Sequence, residues 1–329
     1  MKVLLTGANG FVGSHILDGL LARGMPLVIL LRPTARRHWI QEKLDQVEVR
    51  AGNLTDPAVL KTALKEVTHV VHCAGCTKAV NPKDYFQANQ AGTRQLVEAI
   101  NQHAPKLNRL IYISSLAASR PATSADPATE EMTSAPVTIY GRSKLAGERE
   151  IQEHCRVPYS ILRPAAVYGP RDSDFLSLFK AVGSRVAPLV RKGRQELSLV
   201  YVGDLADAVA LGLEHPRGAG GVYHVAETQV VTSRGLVEEI ARQMGVRPFI
   251  PPLPRPLLWL ICASRDLISG LTGRPHILSR QKFAEVIAPG WVSGTDRLRR
   301  ELGFVCETGL KEGIGRTLAW YRSQGWLRG

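Results

Sequence analysis

Tyr140 and Lys144 stand four residues apart in the stretch YGRSK. On a helix, residues i and i+4 lie one above the other on the same face. The pair is therefore either surface decoration or a phenol whose proton is loosened by a fixed positive charge. The second reading has a use. Reducing a ketone by hydride leaves a developing alkoxide, which needs a proton and a stabilised oxygen. Free tyrosine has a pKa of about 10. Lowering it by roughly 3 units takes about 4 kcal/mol of differential interaction, within reach of fixed positive charge in a dry site.

A second stretch, TGANGFVGS, places Gly7, Gly10 and Gly13 in a G-x-x-G-x-x-G spacing, with Asn9, Phe11 and Val12 between them. This is slightly looser than the common G-x-G-x-x-G dinucleotide fingerprint, but the physics is the same. Glycines let the backbone turn tightly and approach a pyrophosphate. The following helix N-terminus offers free N–H groups and a partial positive charge. The loop follows an apolar strand and opens a helix, so these six residues are expected to hold a dinucleotide.

The end of the second strand bears on which dinucleotide. An acidic residue there would bond the adenosine ribose hydroxyls and favour NAD. The chain has Leu31-Arg32 instead, then Arg36 and Arg37. A guanidinium suits a 2′-phosphate in charge and in fork geometry. NADP is the expected cofactor and NAD the lesser candidate; the alternative is that Arg32 only stacks on the adenine. Asn53-Leu54, after the third strand, are placed to touch the adenine edge. Cys73, Ala74 and Gly75, after the fourth, lie where the cofactor runs past, the last two small enough to let it.

These positions need a scaffold. KVLLTG, PLVILLR, VEVRAG, THVVHCAG, LNRLIYISS and VPYSILRP read as strands alternating with helical stretches, among them Tyr85 to Gln102 and the YGRSK helix to Cys155. The runs LVILL and THVV are apolar without alternation, as a sheet covered on both faces requires. The expected fold is α/β: a doubly wound parallel (Rossmann) sheet over residues 1–167, with a smaller, mainly substrate-binding α/β domain over 168–329. Strand returns to the core are expected near 198–212 and 222–226.

Composition narrows the function classes. The chain has 329 residues and a formal charge of +13, which favours acidic partners such as a phosphorylated cofactor or an anionic membrane face. Its basic clusters are scattered and not interleaved with aromatics, so no nucleic-acid platform is expected. Five cysteines at irregular spacing make no disulfide framework and fit a reducing, cytoplasmic setting. HCAGC contains a C-x-x-C but no second pair, so no metal site is expected. MKVLLTG leads directly into a strand, so the N-terminus reads as structural. LLWLICA is far too short to span a bilayer.

TGANGFVG, VVHCAG, Asn89 with Gly92-Thr93, the Ser114-Ser115 pair, YGRSK and LRPAAVYGPRD, in this order, resemble the extended short-chain dehydrogenase/reductases. That group contains the NAD-dependent epimerase/dehydratases, dihydroflavonol reductases and 3β-hydroxysteroid dehydrogenases. The resemblance covers nearly the whole chain and implies catalysis by Ser115, Tyr140 and Lys144. Ser115 would donate to the substrate oxygen, Tyr140 would exchange the proton with its pKa lowered by Lys144 acting with the positive nicotinamide, and Lys144 would also hold the nicotinamide ribose. It further implies that Ser114, Pro164 and Val167 lie along the cofactor. Asn89 either supports a water chain to Lys144 or bonds the backbone. Tyr168 either lies against the nicotinamide or is packing. Relatives often dimerise through the helices at 85–102 and 140–155, so a homodimer is expected. Asn53 stands where many relatives have aspartate, and Gly203 where an acidic residue is frequent.

The substrate region should comprise the loops after Gly75, Ser115 and Ala165, covered by parts of 171–199 and 225–290. Lys78, Leu116, Ala166, Asp174 and Phe175 are candidates without assigned roles. LPRPLLWLICASRDLISGLTG is too apolar for a plain surface loop. It is read as a hydrophobic lid, as a peripheral membrane contact helped by basic flanks, or as an ordinary buried helix. The leading expectation is an NADP(H)-dependent oxidoreductase that interconverts ketone and secondary alcohol on a steroid-, polyketide-, flavonoid- or β-keto-like substrate. The alternative is a nucleotide-sugar epimerase or dehydratase with tightly bound NAD.

Overall fold

The apolar runs of the first half become strands because each buries both of its faces. A computed structural model describes residues 1–216, 220–273 and 279–327. In chain order the strands are β1 (Val3–Thr6), β2 (Leu27–Leu31), β3 (Glu48–Ala51), β4 (His69–His72), β5 (Arg109–Ile113) and β6 (Tyr159–Pro164). Between them run α1 (Phe11–Ala22), α2 (Pro57–Ala63), α3 (Pro82–Phe86), α4 (Gly92–His103) and α5 (Ile139–His154). The stretch read as one helix from Tyr85 to Gln102 is α3 and α4 joined by a π-helical turn, Gln87–Ala91. Such turns often sit at functional sites.

After α5 and β6 come β7 (Ala166–Tyr168), α6 (Ser173–Gly183), β8 (Glu196–Leu197), β9 (Leu199–Tyr201), α7 (Val202–Glu214) and β10 (Gly221–Val225). Then follow β11 (Val231–Thr232), α8 (Ser233–Met244), α9 (Arg255–Thr272), α10 (Arg280–Ile287), β12 (Gly290–Trp291), α11 (Asp296–Leu302) and α12 (Leu310–Ser323). Among the described residues, the large sheet has the order β10-β6-β5-β4-β1-β2-β3, and every adjacent pair is parallel. This is the doubly wound arrangement, with its direction switch between β1 and β4, where such sheets bind ligands at their C-terminal ends.

Side-chain alternation along the strands builds two cores. Val3, Leu5, Ile29, Leu31, Val71 and Ile111 face α1 and α7. Leu4, Val28, Leu30, Val70, Leu110 and Tyr112 face α2, α4 and α5. A third core lies in the second half, where Tyr168, Phe179, Val237, Ile240, Ile314 and Tyr321 pack together.

The return expected near 198–212 does not join the large sheet. β9 pairs with β7 in a separate ladder. Residues 202–214 are helical, and Leu205, Val209 and Leu213, at helical spacing, pack beside Leu17 and Leu20. β10 does lie in the large sheet, beside β6. The apolar stretch at 251–275 is largely α9; Arg274 and Pro275 at its end lie outside the described residues, as do the last two residues of the tail. No helix of the described residues is long and apolar enough to cross a membrane.

Candidate active site

The glycine loop is interlocked through its backbone. Gly7 has φ +74°, and a Cβ there would stand 2.6 Å from the Ala74 nitrogen. A Cβ on Gly13 would stand 2.0 Å from the Gly7 carbonyl oxygen. No other residue type fits either place. The Gly10 N–H donates to the Gly7 carbonyl at 3.0 Å, and the Ser14 N–H to the Gly10 carbonyl at 2.9 Å. Gly10 caps α1 without a side chain, so the amides of the first turn have no side-chain partner and remain open to an anion. Asn9, Phe11 and Val12 are half-buried along this loop. Ala74 and Gly75 close the other side of the crevice, at the end of β4. A bare-backbone cradle facing the switch point fits a dinucleotide.

Arg32 ends β2, with its carbonyl accepting from the Ala35 N–H at 2.9 Å. Arg32, Arg36 and Arg37 are exposed, and among the described residues none enters an ion pair. Asn53 is exposed after β3, and its Oδ1 accepts from the Thr55 N–H at 3.4 Å. Leu54 packs against the second core beside Gly92.

Thr138 starts α5, its Oγ1 accepting from the Gly141 N–H at 3.0 Å. A Cβ on Gly141 would lie 2.1 Å from the Ala117 carbonyl oxygen, so only glycine lets α5 press onto the turn after β5. That approach brings the Ser115 and Tyr140 side chains close enough to influence each other. Lys144 is buried one turn on. Its Nζ donates to the Ile113 carbonyl at 2.6 Å and lies 4.4 Å from the centre of the Tyr112 ring. Burial lowers the Lys144 pKa to about 8, opposed by Cys73 and Glu148.

The depressed tyrosine expected from the sequence is not found in this arrangement. Burial pushes the Tyr140 phenol up, and Ser115 only partly offsets it. One N–H of the ammonium donates to the Ile113 carbonyl, and burial favours the protonated phenol. Asn89 bonds the backbone: its Nδ2 donates to the Cys76 carbonyl at 2.9 Å and to Ser143 Oγ at 2.8 Å, while its Oδ1 accepts from the Cys76 N–H at 2.8 Å. It thereby ties the loop after β4 to α5.

Ser114 does not turn its hydroxyl outward; it donates to Glu148. Glu148 also takes a two-pronged contact from Arg163 on β6, at 2.9 and 2.6 Å, fully buried. Sequence reasoning missed this pair. Its signal was Glu148 one turn beyond Lys144, a charge on the face of α5 that meets the sheet. Also missed was His72, whose ring bridges Thr6 and Thr93 at 2.8 and 3.0 Å and is held neutral by burial, its pKa lowered to about 3.

Cys73 is a free thiol that burial pushes up to about 11. Pro164 ends β6 opposite Val225, and Val167 in β7 packs against the first core. Tyr168 is packing: it is fully buried, and its hydroxyl donates to Glu227 at 2.8 Å. Phe175 stacks on Tyr168, Leu116 is buried beside Trp291, and Ala166 is exposed. Lys78 and Asp174 form an ion pair that ties the loop after β4 to α6. Beside the start of α5, α9 borders a cavity of about 580 Å³ lined by Ala79, Val80, Pro82 and Ile139 together with the polar Asp266, Ser269, Ser279, Arg280 and Gln281.

A model of the NAD dependent epimerase/dehydratase family matches residues 3–226. The ceramide reductase of Caulobacter vibrioides is 30% identical, over 99% of this chain and 96% of its own. The crystal structure of gox2253 superposes with a TM-score of 0.82 at 28% identity, covering 99% of both chains. The UDP-glucose 4-epimerase of Thermus thermophilus, solved with NAD, gives a TM-score of 0.76 at 25% identity, over 98% of this chain and 99% of that one.

Proposed function

The chain belongs to the NAD dependent epimerase/dehydratase family and is an NAD(P)-dependent enzyme acting on CH–OH and C=O groups; from that premise we propose that it reduces a ketone on an apolar substrate with NADPH. The observation that carries this reading is the trio of exposed, unpaired arginines at the end of β2. Arg32, Arg36 and Arg37 offer a 2′-phosphate charge and fork geometry. The likeness to a ceramide reductase supports the substrate class.

Bound NADPH supplies the hydride. The glycine loop would hold its pyrophosphate through main-chain amides, and Lys144 would hold the ribose on the nicotinamide side. Ser115 and Tyr140 converge on the substrate oxygen. Because burial keeps the phenol protonated, Tyr140 enters the reaction as the acid and donates its proton as negative charge develops on that oxygen. Ser115 supplies the second hydrogen bond.

A second reading, a nucleotide-sugar epimerase or dehydratase that keeps NAD bound, is favoured by the likeness to the Thermus enzyme. One assay separates the two. The purified protein is expected to exchange cofactor freely, to be stabilised more by NADP+ than by NAD+, and to oxidise NADPH when given long-chain ketones. Arg32→Asp should abolish the NADP+ preference, and Tyr140→Phe should lower kcat by about 10²–10⁴-fold. Sealed, stoichiometric NAD, or an NADP+ preference untouched by Arg32→Asp, would overturn the proposal.

A further inference from the structure

We propose that the outer face of α9, together with the basic ladder that leads into it, docks on an anionic lipid surface. The helix is apolar on its outer side as well as its inner one. Leu258, Cys262 and Ser269 are buried against the body. On the opposite side Leu260, Leu267 and Leu271 recur at helical spacing and are 60%, 69% and 80% exposed, and Leu257 and Ile268 on the flank are 47% and 42% exposed. A contiguous apolar face left in water in this way marks an interaction surface.

The face continues into the segment before α9. Residues 185–189 run beside 249–253, with the Ala187 N–H donating to the Phe249 carbonyl and the Leu189 N–H to the Pro251 carbonyl, both at 3.0 Å. This places Val186 next to Phe249, both exposed.

Charge identifies the occupant. The stretches 185–194 and 247–265 contain Arg185, Arg191, Lys192, Arg194, Arg247, Arg255 and Arg265, and no carboxylate. All seven are exposed, and among the described residues none enters an ion pair. A second copy docked through this face would bring like charges together, because a two-fold interface is self-complementary. Anionic headgroups would neutralise them. An amphipathic helix with an apolar face, a flanking Trp259 and a basic border lies in the plane of a membrane interface. The inward side of the same helix contributes Asp266 and Ser269 to the cavity beside α5. Resting on the redox reading above, this would let a lipid-like ketone pass from the bilayer toward Tyr140 beneath α9.

The test is co-sedimentation of the full chain with vesicles of phosphatidylcholine, alone or with one quarter phosphatidylglycerol. The parent protein is expected to bind the anionic vesicles about tenfold more tightly, with binding that weakens as salt rises. Leu260→Glu/Leu267→Glu should lose about tenfold or more of that binding, and Arg191→Glu/Lys192→Glu should lose the preference for the anionic lipid. NADP+ binding should be unchanged in both variants, which shows that they are folded. Failure of the parent to bind anionic vesicles, or unchanged binding by the variants, would overturn the proposal. So would a dimer in sedimentation velocity that Leu260→Glu/Leu267→Glu dissolves, since the face would then belong to a second copy. The readout needs no turnover, so a failed ketone assay leaves the lipid proposal standing, and a failed lipid assay leaves the redox reading standing.

Discussion

Helix α5 buries Ser143, Lys144, Glu148 and Glu150, whereas α9 holds Leu260, Leu267 and Leu271 in solvent. Each breaks the usual partition of side chains, in opposite directions. Buried charge is tolerated on α5 because partners are built around it: Arg163 and Ser114 for Glu148, the Ile113 carbonyl for Lys144. Nothing comparable covers α9 among the described residues. The difference separates a helix whose exceptions are settled inside the chain from one whose exceptions point outward.

The contrast can be broken first at its most buried pair. Glu148→Ala leaves Arg163 charged and unmatched beneath the site, so a loss of about 3–5 kcal/mol is expected in urea unfolding. A loss below about 1 kcal/mol would show that α5 does not depend on this partner.

Next in size is a pH effect at Lys144. Its pKa is about 8 in the folded chain against an ordinary 10.5. Between those values the unfolded chain binds more protons, so stability rises with pH across that window. Measured against Lys144→Met, the parent should gain on the order of 2 kcal/mol between about pH 8 and 10. A constant difference would mean that the buried amine does not titrate there.

The smallest expected effect sharpens the comparison from the other side. Leu260→Glu, on the solvent face of α9, should change stability by no more than about 0.5 kcal/mol. A large loss would show that this face is covered within the chain after all.

What could be read in advance was local. The glycine spacing announces a strand, a tight turn and a helix within a dozen residues, and Tyr140 and Lys144 share a face because helical geometry fixes it. Pairings across the chain could not be read that way. Arg163 meets Glu148 only because β6 lies next to β5 under α5. The apolar stretch before Tyr201 read as a return to the sheet, yet it pairs with β7, since strand partners are chosen by topology rather than by composition. The burial that pushes the Tyr140 phenol up was not legible in YGRSK either, because it is set by the elements packed around α5.

On the NADPH reading proposed above, grip and choice reside in different materials. The interlock of Gly7, Gly13 and Ala74 is made of main chain and admits no tinkering, while the side chains of Arg32, Arg36 and Arg37 stand exposed after β2. On that reading a lineage, or an engineer, could exchange one pyridine nucleotide for the other by editing a few solvent-facing codons, without retooling the machinery that would clasp either.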